Sequence, residues 1–161
     1  QGFHIKSLDQ TMFAVRVGEI LANEKIEFDM DTLDVYVKAT YPDLRKCINT
    51  CQMNSQTGKL ITPGDGDTGE ADVEVTYVAL FQNGDIKGAR QYIIDNADSD
   101  TYEKVYRKMY ENLHWFGDEE LKQSKALLAI RTGLVNHALV VDPEINLAAT
   151  MIELENIRSK K

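Results

Sequence analysis

Tyr41-Pro42-Asp43-Leu44-Arg45-Lys46-Cys47-Ile48-Asn49-Thr50-Cys51-Gln52 is the stretch from which the fold of this chain is best read. Pro42 has no N–H to lose and a φ already suited to a helix, so it is expected at the first helical position. Leu44, Cys47, Ile48 and Cys51 recur at helical spacing and predict one apolar stripe. Arg45, Asn49 and Gln52 point away from that stripe. A cation at the start of a helix opposes the helix dipole, which favours negative charge there. Arg45 is therefore a poor choice for stability and a reasonable one for meeting an anion. On helix evidence alone, a solvated surface arginine is the simpler reading.

Two more helices precede this one. Ser7-Leu8-Asp9-Gln10 has Ser at a cap position and Gln three residues later, a capping-box pattern. The helix it opens is expected to carry Leu8, Met12, Phe13, Val17, Ile20 and Leu21 on one face and to run to about Asn23. A second helix is expected to start between Asp29 and Asp31, with Leu33, Tyr36 and Val37 buried. The Arg45 helix follows at once and is expected to end at Gly58, a natural residue just past a helix end. Lys59-Leu60-Ile61-Thr62 reads as a short extended piece. Together these make a small three-helix bundle.

Residues 63–72, Pro-Gly-Asp-Gly-Asp-Thr-Gly-Glu-Ala-Asp, hold no large apolar side chain and read as a linker. Asp65 and Asp67 invite a calcium-loop reading, but Gly69, Glu70 and Thr76 stand where that pattern requires Asp or Asn, Gly and Glu. From Val73 onward the pattern is helical: Val73 to Gln82, Ile86 to Asp95, a longer helix capped at Asp98-Ser99-Asp100, Glu119 to Val141, and a last helix opened by Pro143 and ending near Arg158. The third of these carries Tyr102, Val105, Tyr106, Met109, Tyr110 and Leu113 as its stripe and ends at His114-Trp115-Phe116-Gly117. The fourth is expected to break or loosen around Gly133. Five helices with short connections make a compact bundle. Ala126 to Ile130 and Leu134 to Val141 are apolar around most of the helix, which predicts burial at the centre or against a partner. In so small a domain a subunit interface is expected there.

The composition excludes several classes. The chain has 161 residues, 43% of them hydrophobic, and only three prolines, which fits a folded chain. A net charge of −8 argues against a nucleic-acid-wrapping surface, which needs a clustered basic face. Arg158, Lys160 and Lys161 form the only small basic cluster and are expected to be solvated. No run approaches the roughly 20 apolar residues needed to span a bilayer. Cys47 and Cys51 lack the further ligands a zinc site needs and read as small core residues in a reduced, intracellular protein. His4, His114 and His137 are scattered, and none sits in a nucleophilic triad. There is no Gly-x-x-x-x-Gly-Lys-Ser/Thr loop and no acidic pair ending an apolar strand. The chain itself is thus expected to bind no nucleotide and to be no enzyme.

The run Asp43 to Gln52 resembles the sensor-2 helix of the replication factor C family, the small ATPase subunits of sliding-clamp loaders. In that family an Asp-Leu-Arg or Asp-Met-Arg triplet opens a helix that continues Lys, any residue, Ile, Asn. Cellular members usually have Gly before the Asp; Pro42 is closer to the T-even-phage type. The helix order along the rest of the chain is similar too. The resemblance implies an all-α chain made of a three-helix AAA+ lid (residues 1–62), a linker (63–72) and a five-helix collar (73–161). It implies that Arg45 reaches ATP, held with Mg²⁺ in a preceding AAA+ ATPase domain, and that the parent chain is an ATPase. Other clamp-loader subunits would be met through the collar. The sliding clamp and primer-template DNA would be met through the missing ATPase domain, in the cytoplasm (of a bacterial host, for a phage). Phe3-His4-Ile5 then reads as the last strand of that domain, so the chain is expected to be the C-terminal part of a longer one. Two alternatives stay open: the lid and collar of another AAA+ machine, or an unrelated all-helical interaction module in which Arg45 is a surface residue.

Overall fold

A computed structural model describes residues 9–62 and 72–160. Ser7, Leu8, the Phe3–Ile5 stretch, Lys161 and most of the 63–72 stretch therefore lie outside the described residues. The described chain is all-helical, with eight α-helices and one short 3-10 turn. It divides into two compact units, Gln1–Ala79 and Leu80–Lys161.

In the first unit, α1 (Gln10–Asn23), α2 (Met30–Thr40) and α3 (Leu44–Met53) form a three-helix bundle. Phe13, Val17 and Leu21 recur every four residues on α1 and are buried, as are Leu33, Tyr36 and Val37 of α2 and Cys47 and Cys51 of α3, and α1 packs on both helices. Each large side chain of this kind contributes about 1.5–3 kcal/mol through burial. Met12, expected on the same face, is 59% exposed. The bundle takes the Phe13-Val17-Leu21 edge of α1 and leaves Met12 beside Val15 and Leu44 on the surface. The segment after α3 packs back on the bundle. Leu60 is buried, and Glu27 bonds through its backbone to Gly58 and Leu60 at 2.9 and 2.8 Å. The Tyr36 hydroxyl donates to the Ile61 carbonyl at 2.9 Å.

The expected end of α3 at Gly58 is corrected. The helix stops at Met53, where the Asn54 side-chain amide donates to the Thr50 carbonyl at 2.8 Å. Gly58 instead takes a left-handed φ of +85° in the following turn, a conformation that suits glycine.

Helix α4 (Val73–Gln82) starts in the first unit and ends in the second. The second unit continues with α5 (Ile86–Asn96), α6 (Ser99–Glu111), a 3-10 turn (Leu113–Phe116), α7 (Glu120–His137) and α8 (Pro143–Ser159). Asp85, Asp98 and Asp142 each accept from backbone N–H groups of the helix they precede, satisfying donors that have no partner within the helix. Phe81 stacks on Trp115 at 4.9 Å and meets Phe116 edge-on. Arg158, expected to be solvated, donates its guanidinium to the Trp115 carbonyl at 2.8 Å. Tyr102, Val105, Tyr106 and Met109 of the expected α6 stripe are buried, whereas Tyr110 is 47% exposed.

Helix α7 runs unbroken through Gly133. A Cβ at that position would stand 2.7 Å from Tyr106 Cε1 and in collision with Thr150 Oγ1. Gly133 therefore marks a close approach of α7 to Tyr106 of α6 and Thr150 of α8. Asn146 locks the crossing, donating to the Gly133 carbonyl at 2.8 Å and to the Tyr106 hydroxyl at 3.0 Å. The helix ends at His137, four residues before the expected Val141, and Leu139 and Val141 are exposed beyond it.

Candidate functional site at the first turn of α3

The approach to α3 differs from the sequence expectation in one respect. Pro42 is not its first residue: it lies in the turn before the helix, after a cis Tyr41–Pro42 peptide bond. Asp43 is the cap, and its carboxylate accepts from the Lys46 N–H at 2.9 Å. Once the aspartate side chain takes that donor, the helix starts at the residue after it, Leu44. Pro143 shows the other order: Asp142 caps first, and the proline follows at the first helical position.

Arg45 is the second residue of α3 and is exposed, as are Asn49 and Gln52. Among the described residues it makes no ion pair or hydrogen bond. Its neighbour Lys46, one position on, behaves differently. The Lys46 ammonium reaches Glu74 at 3.0 Å and Asp72 at 3.4 Å. Partial burial works against its charge, yet the Glu74 hydrogen bond and the charges of Glu74 and Asp72 hold its pKa above the ordinary lysine value. Two adjacent cations thus have distinct duties: Lys46 ties α3 to the start of α4, and Arg45 faces outward. Spacing alone gave no signal of this, because the partners of Lys46 lie 26 and 28 positions away.

Cys47 and Cys51 are both free and fully buried, as small core residues are. The neighbouring Cys47 thiol and burial push the Cys51 thiol well above its ordinary range and keep it protonated. Tyr36, packed against them, is also raised by burial. Among the described residues no group of three or more His, Cys, Asp or Glu side chains is placed to hold a metal ion. His137 packs edge-on against Tyr102 and Tyr106, at 6.5 and 6.0 Å. No described helix is long and apolar enough to cross a membrane.

The second feature of note is the outer side of α7 and α8. Leu121, Leu128 and Val135 recur every seven residues on α7 and are 55–63% exposed. Ile145 and Ile152 do the same on α8, at 66% and 46%. Beside them, Tyr106, Tyr110, Leu127, Ile130 and Leu134 line an open groove of about 430 Å³. Single exposed apolar side chains are ordinary on a protein surface, whereas these recur at seven-residue spacing along α7 and α8. The apolar runs read from the sequence are therefore only half explained by the core: Ala126, Ala129 and Ile130 face in, and the leucines between them face out. No protein-family model matches the chain, and no curated protein matches it.

Proposed function

We propose that the chain is the lid and collar part of a sliding-clamp loader ATPase subunit of the replication factor C type, acting in DNA replication. The observation that carries this reading is the placement of Arg45. It stands exposed in the first turn of a helix opened by Asp43, within the Asp-Leu-Arg-Lys run that resembles the family's sensor-2 helix. In this reading the three-helix unit closes over ATP and Mg²⁺ bound in an AAA+ domain that precedes Gln1. The Arg45 guanidinium binds phosphate oxygens in a fork and stabilises charge as phosphoryl transfer proceeds. Lys46, held by Asp72 and Glu74, positions the helix and makes no nucleotide contact. The second unit assembles the loader ring, in the cytoplasm, through its exposed apolar surface, and clamp and primer-template DNA are engaged by the ATPase domain.

The test is Arg45→Ala in the parent subunit. Nucleotide-dependent clamp loading is expected to fall at least tenfold while the ring still assembles. Unchanged ATPase and loading rates would remove Arg45 from the site. A second reading, an all-helical interaction module unrelated to nucleotide, is favoured by the same α7–α8 surface taken alone. In that case Arg45→Ala is silent and only substitutions on that surface have effects.

A further inference from the structure

Cys47 and Cys51 stand one turn apart on the same face of α3, and both are buried. Each thiol's ionisation is influenced first by the other, so the two side chains are neighbours. They do not close a disulfide in place: side chains four apart on a helix keep their Cβ atoms about 5–6 Å apart, and a disulfide needs about 3.5–4.5 Å. Nor do they make an ordinary metal centre, because among the described residues no third His, Cys, Asp or Glu joins them. One side of the pair is open to a ligand. Cys51 forms part of the wall of a pocket of about 540 Å³ between α1 and α3, together with Ile20, Ile26 and Ile48 and the polar Glu24 and Gln52. The three isoleucines are half-buried, and the volume falls within the roughly 300–1,000 Å³ of small-molecule clefts.

We propose that Cys47, Cys51 and this pocket form a site for a dithiol-bridging ligand of the arylarsenic(III) class, with the arsenic held by both sulfurs and the aryl ring in the pocket. An atom inserted between the sulfurs lengthens the bridge to S–As–S, which spans the gap that a disulfide does not. Charge selects among thiophilic ligands. Thiols that have lost their protons carry one negative charge each, and an apolar core tolerates the pair only when the ligand cancels both. A monovalent soft ion such as Cu(I) leaves one charge uncompensated, whereas an aryl-As(III) group leaves the site neutral. The exchange balances. Both As–O bonds of the hydrated arsenoxide break, an As–S bond forms in place of each, and each thiol proton leaves with a released hydroxide as water. Arsenic stays trivalent, and nothing is oxidised or reduced. The site stands apart from the reading of Arg45, although it lies on the same helix.

The test treats the reduced 161-residue chain with phenylarsine oxide and reads the product by mass spectrometry and thiol counting. One phenylarsenic group per chain is expected, with both thiols consumed. The adduct is expected to survive a large excess of a monothiol and to be released by a 1,2-dithiol. Cys47→Ala and Cys51→Ala are each expected to lose the monothiol-resistant adduct. Circular dichroism checks that they keep their helical content, and Cys→Val at the same position replaces either one that does not. Two readouts separate the folded site from two cysteines in an opened chain. Bridging is expected to raise the melting temperature, because it ties a turn of native α3, and Ile20→Trp, which fills the pocket, is expected to slow capture several-fold. No adduct, an adduct stripped by monothiol or kept by a single-cysteine variant, a lowered melting temperature, or equal rates in the parent and Ile20→Trp would each overturn the site.

Discussion

Replacing Gly133 with alanine tests the packing of the second unit most directly, because two opposing effects predict opposite signs. In an exposed helix interior, Gly→Ala stabilises by about 1 kcal/mol through backbone entropy and helix propensity. At Gly133 the new methyl would meet Tyr106 Cε1 at 2.7 Å and collide with Thr150 Oγ1. Neither neighbour can swing away freely. The Tyr106 hydroxyl accepts from Asn146, and the Thr150 hydroxyl donates to the Asn146 carbonyl at 3.0 Å. Both branches of Thr150 face the new methyl, since its Cγ2 already stands 3.0 Å from that position. Overpacking of this kind costs about 1–3 kcal/mol. Shifting α7 outward also lengthens the 2.8 Å bond from Asn146 to the Gly133 carbonyl, a loss of about 1 kcal/mol. The sum is a net destabilisation of about 1–3 kcal/mol, read as a lower urea midpoint with unchanged slope. Thr150→Ala in the same chain removes one of the two obstacles and is expected to recover part of the loss, so the pair is non-additive. A Gly133→Ala protein more stable than the parent would refute the close helix crossing, and would instead match a loosened α7.

Two further outcomes follow from the caps. Asp43→Ala removes the acceptor for the Lys46 N–H and is expected to cost about 1 kcal/mol in chemical denaturation; a change below a few tenths would mean that water or another group serves that donor equally well. Asp29 and Asp98 each cap a helix through backbone and hydroxyl hydrogen bonds from Thr32 and Thr101, and these bonds hold both carboxyls below the ordinary value of 3.8. Their contribution is fully present above that value and is lost as pH falls through the lowered folded-state values, because protonation of the unfolded chain comes first. Stability is therefore expected to decline on acidification below about pH 3.8, and less steeply in Asp29→Asn/Asp98→Asn. An identical acid profile in that variant would sink the assignment.

Much of the helical order of this chain was legible in the sequence, for a local reason. Period-3.6 stripes such as Phe13-Val17-Leu21 and Tyr102-Val105-Tyr106-Met109 identify a buried face without knowledge of what covers it, and Asp29 and Asp98 announce helix starts because the cap bond spans only a few residues. The exposure of Arg45, Asn49 and Gln52 belongs to the same class of information, since the side opposite a buried stripe is fixed by helix geometry.

What the sequence left open depended on partners far along the chain. Pro42 and Asp43 both favour a helix start, and only the placed side chain of Asp43 decided which of them opens α3. Lys46 and Arg45 are equivalent cations by residue type until Asp72 and Glu74 are brought to one of them. Gly133 carries a helix-breaking signal by local propensity, yet α7 continues through it because Tyr106 and Thr150 fill the space a side chain would need. The apolar runs on and just after α7 show the same limit. Hydrophobicity marked Ala126 to Ile130 and Leu134 to Val141 for burial, but the division between residues that meet the core and those left facing out was made by the tertiary packing, because a helix has a full circumference and neighbouring helices cover only part of it.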